Sequence, residues 1–212
     1  MCRHFFICFS ALLASLACKN HRSDDVPRAQ TEPATDAARP APVPAAGVST
    51  IYTINNTNSK IEFVGSNVTE SHEGTFDSFS GLLQLVDRDP TRSSARIAIE
   101  MTSVSVRIPQ LQEHLRSADF FDARHFPQAT FESSTIERAG GDRYRITGNL
   151  TLRGITRIVT FPTTIIQNTS TVSVQAEFSI NRKEFGIEYP GLPDDLIKDD
   201  VLIRLKLNAR SA

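Results

Sequence analysis

Residues 144–152, YRITGNLTL, alternate between two kinds of side chain. Tyr144, Ile146, Leu150 and Leu152 fall on one face of an extended chain together with Gly148, and the positions between them are polar. This period of two predicts a β-strand with one apolar face. Arginine and glycine follow at 153–154, which is typical of a tight turn, and a second alternating run begins soon after them. The stretch therefore predicts an antiparallel hairpin.

The same period recurs along most of the chain after residue 50. Alternating runs occupy residues 61–63, 95–101, 129–131, 159–165, 172–180 and 201–207, and short segments rich in turn residues separate them at 55–58, 87–90, 140–142 and 168–170. Short turns make neighbouring strands antiparallel, and an open sheet of this size would leave two long edges unpaired. We therefore predict an all-β fold, an antiparallel up-and-down β-barrel of about eight strands. The alternation also permits a two-sheet sandwich with a filled core.

Alternation also assigns side chains to the two surfaces of the predicted barrel. The residues predicted to line the lumen include Phe131, Ile146, Leu150, Phe161 and Phe178, and those predicted to point outward are Arg145, Thr147, Asn149 and Glu177. Several inward positions are small or hydroxylated, namely Ser133, Gly148, Thr163 and Ala176, which favours a cavity over a filled core. Glycines at 74 and 81 predict a bend of the sheet beside Phe76 and Phe79.

One segment interrupts the strand pattern. From Pro109, Leu111 and Leu115 fall on one helical face with polar residues opposite, and Phe120 and Phe121 follow. The pattern predicts a helix of about two turns, which is too short to be stable without tertiary contacts. We therefore predict that residues 109–126 cover one end of the barrel. The two phenylalanines either face a ligand or complete the core.

Three polar residues of this segment are candidates for the rim of the barrel. Arg116 and Asp119 stand three positions apart, so they could pair if the helix continued. His114 could pair with Asp119, contact a ligand head group, or be a structural histidine.

The order of several motifs resembles the YceI-like family of polyisoprenoid-binding proteins. The motifs are HLRSADFFD at 114–122, FP at 126–127, TF at 130–131, GNLTLRGIT at 148–156 and RKEFGI at 182–187, and the resemblance covers roughly residues 51–209. It implies a lipocalin-like barrel that holds an isoprenoid or acyl chain in its lumen. Three positions depart from the family pattern: Asn58-Ser59 and Gly65-Ser66 stand where histidines are frequent, and Leu111-Gln112 replaces an Arg-Asp pair. Head-group contacts made there in other members do not carry over.

The N-terminal region has a different composition. Residues 1–18 contain a 13-residue apolar run after Arg3 and His4, which indicates a signal peptide that is too short to span a bilayer. Cys18 ends this run and resembles a lipoprotein cleavage site, so we expect a lipid anchor there; simple signal cleavage is the alternative. Residues 19–49 are rich in alanine and proline and predict a disordered tether. The barrel domain is assigned to residues 50–212.

Composition and motifs exclude several classes of function. The chain has 23 Lys and Arg against 24 Asp and Glu, so no basic surplus favours nucleic acid. It lacks zinc-binding spacing, a nucleophile elbow and a glycine-rich phosphate loop. The aspartates at 194–195 and 199–200 could bind calcium, but their spacing favours a solvated loop.

An alternating barrel with one inserted helix and no catalytic motif predicts a binding protein and not an enzyme, and the resemblance to the YceI-like family implies that its ligand is a long apolar lipid. The N-terminal region predicts a protein of the bacterial cell envelope, exported to the periplasm or anchored to a membrane as a lipoprotein. No cofactor is expected beyond a bound isoprenoid or acyl lipid. The alternatives are a lipid-modifying or antioxidant enzyme that uses His114 and Asp119, and a structural envelope module. The residues predicted to bind the ligand are Phe76, Phe79, Ile99, His114, Leu115, Arg116, Asp119, Phe120, Phe121, Phe131, Ile146, Leu150, Phe161, Phe178 and Phe185.

Overall fold

A computed structural model describes residues 26–34 and 47–211 of the chain. The predicted signal peptide and Cys18 lie outside the described residues. The strands are β1 Gln30–Pro33, β2 Ser49–Asn55, β3 Lys60–Ser66, β4 Ser71–Phe76, β5 Phe79–Val86, β6 Asp89–Glu100, β7 Val104–Val106, β8 Gln128–Gly140, β9 Arg143–Leu152, β10 Ile155–Gln167, β11 Thr171–Asn181, β12 Gly191–Leu192, β13 Asp195–Leu196 and β14 Asp200–Ser211. The helix α1 spans Pro109–Arg116, and two 3-10 helices span Met101–Ser103 and Arg182–Phe185.

The predicted antiparallel barrel is confirmed. β2 pairs with β5, β5 with β6, and the sequence of pairs continues through β8, β9, β10 and β11 to β14. β14 pairs with β2 and β3, which closes the circle. Closure removes the free edges that an open sheet would leave, so the sandwich alternative is wrong.

Eight long strands form this barrel because three of them are interrupted. β2 and β3 do not continue into a hairpin, since both pair with β14, and they are two halves of one strand. The turn predicted at 55–58 is therefore an interruption within a strand, and Asn208 holds it by donating to the carbonyl of Asn58 at 2.7 Å. β4 with β5 and β6 with β7 are interrupted in the same way.

The helix lies where the sequence places it, between the third and fourth long strands. Pro109 occupies its first turn, where a missing backbone N–H costs nothing, and Leu115 is buried. Beyond its end, the amide of Phe121 donates to the carbonyl of Leu115 and that of Ala123 to the carbonyl of Arg116. These bonds fold the chain back so that the phenylalanines follow the apolar face of the helix. No helix within the described ranges is long and apolar enough to cross a bilayer.

Part of the predicted tether is ordered. Residues 26–34 lie against the barrel, where β1 pairs with β10 and the buried Ala29 joins the core. The prediction of disorder is therefore wrong for these residues. Their order arises from backbone hydrogen bonds to barrel strands and one buried methyl group, and the low apolar content of the segment gave no sign of it.

Candidate functional site

The interior of the barrel contains an apolar cavity of about 230 Å³. Ten of the predicted ligand-binding residues line it: Phe76, Ile99, Leu115, Phe120, Phe121, Phe131, Ile146, Leu150, Phe161 and Phe178. The predicted inward orientation of the last five is confirmed, and the four residues predicted to face outward are absent from the wall of the cavity. Such an interior can hold an apolar molecule.

Two polar side chains occur among the described residues that line the cavity, and both are occupied by bonds within the protein. The hydroxyl of Ser93 donates to the carbonyl of Asp89 at 2.6 Å and accepts from the amide of Val86 at 3.3 Å. The guanidinium of Arg182 donates to the carbonyls of Ile187 at 2.7 Å and Lys198 at 3.1 Å, among others. A molecule in the lumen therefore meets an apolar wall whose polar groups already have partners.

Arg182 is a residue whose role the sequence did not reveal. Its side chain is 4% exposed, it also donates to the carbonyl of Ile197, and Asp199 lies 3.5 Å from it. Burial lowers the pKa of the Arg182 guanidinium, and the charge of Asp199 opposes that shift. By holding three backbone carbonyls of residues 187–198, Arg182 fixes the loop between β11 and β14 at the end of the barrel.

The segment of residues 109–126, which we call the lid segment, places two phenylalanines on the cavity. Phe120 is buried and Phe121 is half-buried. The ring of Phe121 lies 6.2 Å from that of Phe63 and 5.7 Å from that of Phe76, measured between centroids. The Phe63 and Phe76 rings are themselves 5.5 Å apart, so three aromatic rings from β3, β4 and the lid segment meet at this end of the lumen.

His114 belongs to a second aromatic group, with Phe120 and Tyr189; of these three residues only Phe120 lines the cavity. Its ring lies 4.9 Å from the rings of both Phe120 and Tyr189, edge-on to each. Its Nε2 atom is 2.9 Å from a carboxylate oxygen of Asp119, which confirms that these two residues pair. This group packs the lid segment against the loop that contains Tyr189, so the geometry gives His114 a structural role at the rim.

The predicted contact between Arg116 and Asp119 is wrong. The helix ends at Arg116, and its guanidinium pairs with Glu113 at 2.7 Å and donates to the carbonyl of Val104 at 3.3 Å. Asp119 is therefore left to His114. Arg116, Asp119 and His114 do not line the cavity.

Two predicted phenylalanines and the small inward residues also differ from expectation. Phe79 and Phe185 are buried but do not line the cavity. Gly148 does not leave free space, because a Cβ atom there would stand 2.6 Å from the ring of Phe131. Thr163 donates to the carbonyl of Gln175 at 2.8 Å. The free volume therefore arises elsewhere than at these small residues.

Other residues that line the cavity were not predicted, and several of them lie in the interrupted strands. Phe63, Ile54, Leu83 and Ile97 all face the cavity. The period of two is present in β3 and β6 as well, whereas the five residues predicted from it to face the lumen lie in β8 to β11, where the runs are unbroken. Register through the interruptions is what places these residues inward, and the sequence does not show it.

Three of the four aspartates at 194–195 and 199–200 form hydrogen bonds or ion pairs with other residues of the protein. Asp195 accepts hydrogen bonds from Asn67 and Thr69. Asp199 pairs with Lys183 at 2.9 Å, and Asp200 pairs with Arg28 at 2.9 Å. These contacts hold the loop to the barrel.

The fold and the cavity define a class: small closed antiparallel barrels with an apolar lumen and a helical segment across one end. The YceI-like domain model matches residues 52–209, and the chain belongs to that family. It is 35% identical over 121 residues to Protein YceI of Escherichia coli O157:H7, a match that covers 54% of this chain and 63% of that protein. The matched part thus spans less than two thirds of the length of such curated relatives.

Two solved structures are similar to the whole barrel. BcnA of Burkholderia cenocepacia has a TM-score of 0.68 and 30% identity, with 73% of this chain and 98% of that chain covered. A polyisoprenoid binding domain from Saccharophagus degradans, implicated in plant cell wall breakdown, has a TM-score of 0.62 and 18% identity, with 76% and 98% covered. The second likeness is one of fold.

Proposed function

We propose that the barrel binds a long apolar lipid, such as a polyisoprenoid, an isoprenoid quinone or a fatty acid derivative, and sequesters or carries it in the bacterial cell envelope. The observation that carries this proposal is the apolar cavity with its internally bonded polar groups. An apolar chain can enter this cavity without breaking a hydrogen bond of the wall. A polar ligand would lose its hydrogen bonds to water and find no free partner in the wall to replace them. The polyisoprenoid binding domain of similar fold supports the class of ligand.

The chemistry of the wall also describes how such a ligand is selected. With no free hydrogen-bonding group in the described part of the lumen wall, selection rests on shape and apolar area, at about 25 cal/mol for each Å² buried. A polar head group would have to lie outside this wall, at an end of the barrel. The enzymatic alternative is not favoured, because the His114 and Asp119 pair does not face the cavity.

The direct test is lipid extraction and native mass spectrometry of the purified protein, with Val159→Thr and Val174→Thr as variants. Both valines line the cavity, and threonine keeps the shape of valine while adding a hydroxyl. Each change should weaken lipid binding roughly 5-fold to 30-fold, because an unpaired hydroxyl in an apolar site costs about 1–2 kcal/mol.

The matched control is Val68→Thr, since Val68 is 72% exposed. The proposal predicts that this variant retains the lipid content of the parent protein. Purified parent protein that carries no lipid and takes up none from vesicles would refute the proposed function.

A further inference from the structure

β10 and β11 pair along only part of their length. Their register joins Thr164 to Gln175 and continues to Gln167 and Val172. If the same register extended towards the lid segment, Thr160 would stand opposite Ser179. Instead residues 28–33, which include β1, lie between them, because Gln30 is the register partner of Thr160 and Arg28 forms a parallel bridge with Ser179.

The wall at this point therefore contains an additional short strand. β1 is antiparallel to β10, and Arg28, two residues before β1, forms an isolated parallel bridge to Ser179 of β11. Among the described residues this bridge is the exception to antiparallel pairing in the barrel wall. Neighbouring strands are about 4.8 Å apart, so β10 and β11 stand roughly 9.6 Å apart at Thr160 and Ser179, where residues 28–30 separate them. The family match begins at residue 52, so β1 lies outside the matched domain.

Residues 27–33, which include β1, are held by backbone bonds and one ion pair and bury little apolar side chain. Ala29, directly before β1, is the one fully buried residue among them, and Gln30, Glu32 and Pro33 are exposed. On the β11 side, the amide of Ala29 donates to the carbonyl of Ser179 at 2.8 Å, and the amide of Ser179 donates to the carbonyl of Pro27 at 3.0 Å. A segment with little buried apolar area and solvent-exposed backbone bonds can detach at a free energy well below that of global unfolding.

The gap that β1 fills opens directly onto the cavity. Val159 and Phe161 of β10, and Phe178 and Ile180 of β11, line the lumen on its two sides. The rings of Phe161 and Phe178 are stacked, with centroids 4.3 Å apart and planes 12° apart, close to the point where the strands separate. This stack joins β10 and β11 beyond the end of β1, so departure of β1 would open one side of the wall without separating the two strands along their whole length.

We propose that β1 is a lateral gate of the barrel: its detachment opens the wall between β10 and β11, and a long apolar chain enters or leaves the lumen through that opening. This proposal rests on the proposed function. The gate and the proposed function can be tested separately. Locking the gate in its closed state should slow lipid entry and lipid release equally, and it should leave the Kd unchanged because the bound lipid keeps the same contacts with the closed barrel.

A disulfide that locks β1 to β10 tests the proposal. Glu32 and Ile158 are register partners on β1 and β10. The next residue of β10, Val159, lines the cavity, so Ile158 and its partner Glu32 face outward, and cysteines at directly opposed positions are close enough to form a disulfide. The control lock joins Thr151 and Thr156, register partners of β9 and β10 whose hydroxyls are 2.8 Å apart. Both pairs are placed in the full chain with its three native cysteines changed to serine.

The measurement is the rate at which bound cis-parinaric acid, a fluorescent long-chain fatty acid, leaves the protein for phosphatidylcholine vesicles. Oxidised E32C/I158C should release the probe at least tenfold more slowly than its reduced form, with an unchanged Kd. The oxidised T151C/T156C control should release it at the parent rate. Equal rates in the oxidised and reduced forms of the β1 lock would overturn the gate and leave lipid binding intact, whereas absence of probe binding in every form would refute the proposed function itself.

A second pair of variants acts in the opposite direction and does not depend on disulfide formation. Ala29→Asp places a carboxylate in the core and should expel β1, which predicts release several-fold faster than that of the parent protein. Gln30→Asp changes the neighbouring residue, which is exposed and belongs to β1, and should leave the rate unchanged. Equal release from Ala29→Asp and the parent, with the variant folded by circular dichroism, would contradict the gate.

Discussion

Two buried alanines of the barrel wall should respond in opposite ways to enlargement. Ala129 is 4% exposed and lines the cavity, whereas Ala176 is 8% exposed and faces inward without lining it. Leucine adds three carbons at either position. At Ala129 they can enter the cavity and gain about 0.8 kcal/mol each, less about 0.5–1 kcal/mol of side-chain entropy. Ala129→Leu should therefore stabilise the delipidated protein by about 1–2 kcal/mol.

At Ala176 the same three carbons meet packed neighbours. Overpacking typically costs about 1–3 kcal/mol, so Ala176→Leu should destabilise the fold by that amount. The free energy of unfolding is obtained from urea denaturation followed by circular dichroism, since the chain contains no tryptophan to report by fluorescence. Lipid binding is measured in parallel, and Ala129→Leu should weaken it because the new side chain takes volume from the ligand.

The comparison of the two variants has a clear negative outcome. If Ala129→Leu destabilises the protein as much as Ala176→Leu does, the residues around Ala129 are as tightly packed as any filled core, and the cavity argument is refuted. Stabilisation by Ala129→Leu with unchanged lipid binding would show that the ligand lies elsewhere.

Four further predictions follow from individual residues. Phe121→Ala should lose lipid retention at a cost of no more than about 2 kcal/mol, because the ring is half-buried; a loss of about 3 kcal/mol or more, with binding falling only in proportion, would make Phe121 a core residue and contradict its role in the lid segment. Arg182→Met should lower the free energy of unfolding by about 3 kcal/mol or more, because three carbonyls lose their donor in a buried site, and an unchanged urea midpoint would contradict this. Cys18→Ser should move the protein from the membrane to the soluble fraction, and the anchor is refuted if fractionation is the same. The pKa of Asp89 is below its usual 3.8, chiefly because the amide of Thr91 donates to its carboxylate. The contribution of Asp89 to stability is therefore present above the unfolded pKa and is lost as the pH falls through the folded value. Asp89→Asn should reduce the loss of stability below about pH 4, as followed by acid denaturation.

The sequence was sufficient for the fold because its main signal is local. Alternation in 144–152 and its neighbours fixes which side chains face inward, and the motif beginning at Pro109 fixes the helix. The prediction of a turn between two strands at 55–58 was wrong, because the same turn residues occur where a chain reverses direction and where a single strand is interrupted. Only the pairing of both flanking strands with β14 distinguishes the two cases.

The site was less predictable because it depends on contacts between distant strands. Gly148 looked like free space, yet the ring of Phe131 from the neighbouring strand occupies it. Nothing in the sequence around Arg182 indicates that its side chain is buried and donates to loop carbonyls, because those carbonyls belong to residues 187–198. The order of β1 arises from a gap between β10 and β11 that alternation cannot show, since both strands have the same pattern whether or not they pair along their full length.

The cavity itself is a thermodynamic argument for a ligand. An unfilled apolar cavity of about 230 Å³ costs roughly 5 kcal/mol at about 24 cal/mol for each Å³, a large part of the 5–15 kcal/mol that stabilises a typical domain. In a helical core the elements would move together and recover part of that cost. In a closed barrel they cannot do so without breaking the hydrogen-bonded ladders that join each strand to two neighbours, so the volume persists. A lipid that fills it restores the missing contacts, and because such a ligand binds the folded state alone, its occupancy must raise the free energy of unfolding in proportion to the logarithm of its concentration.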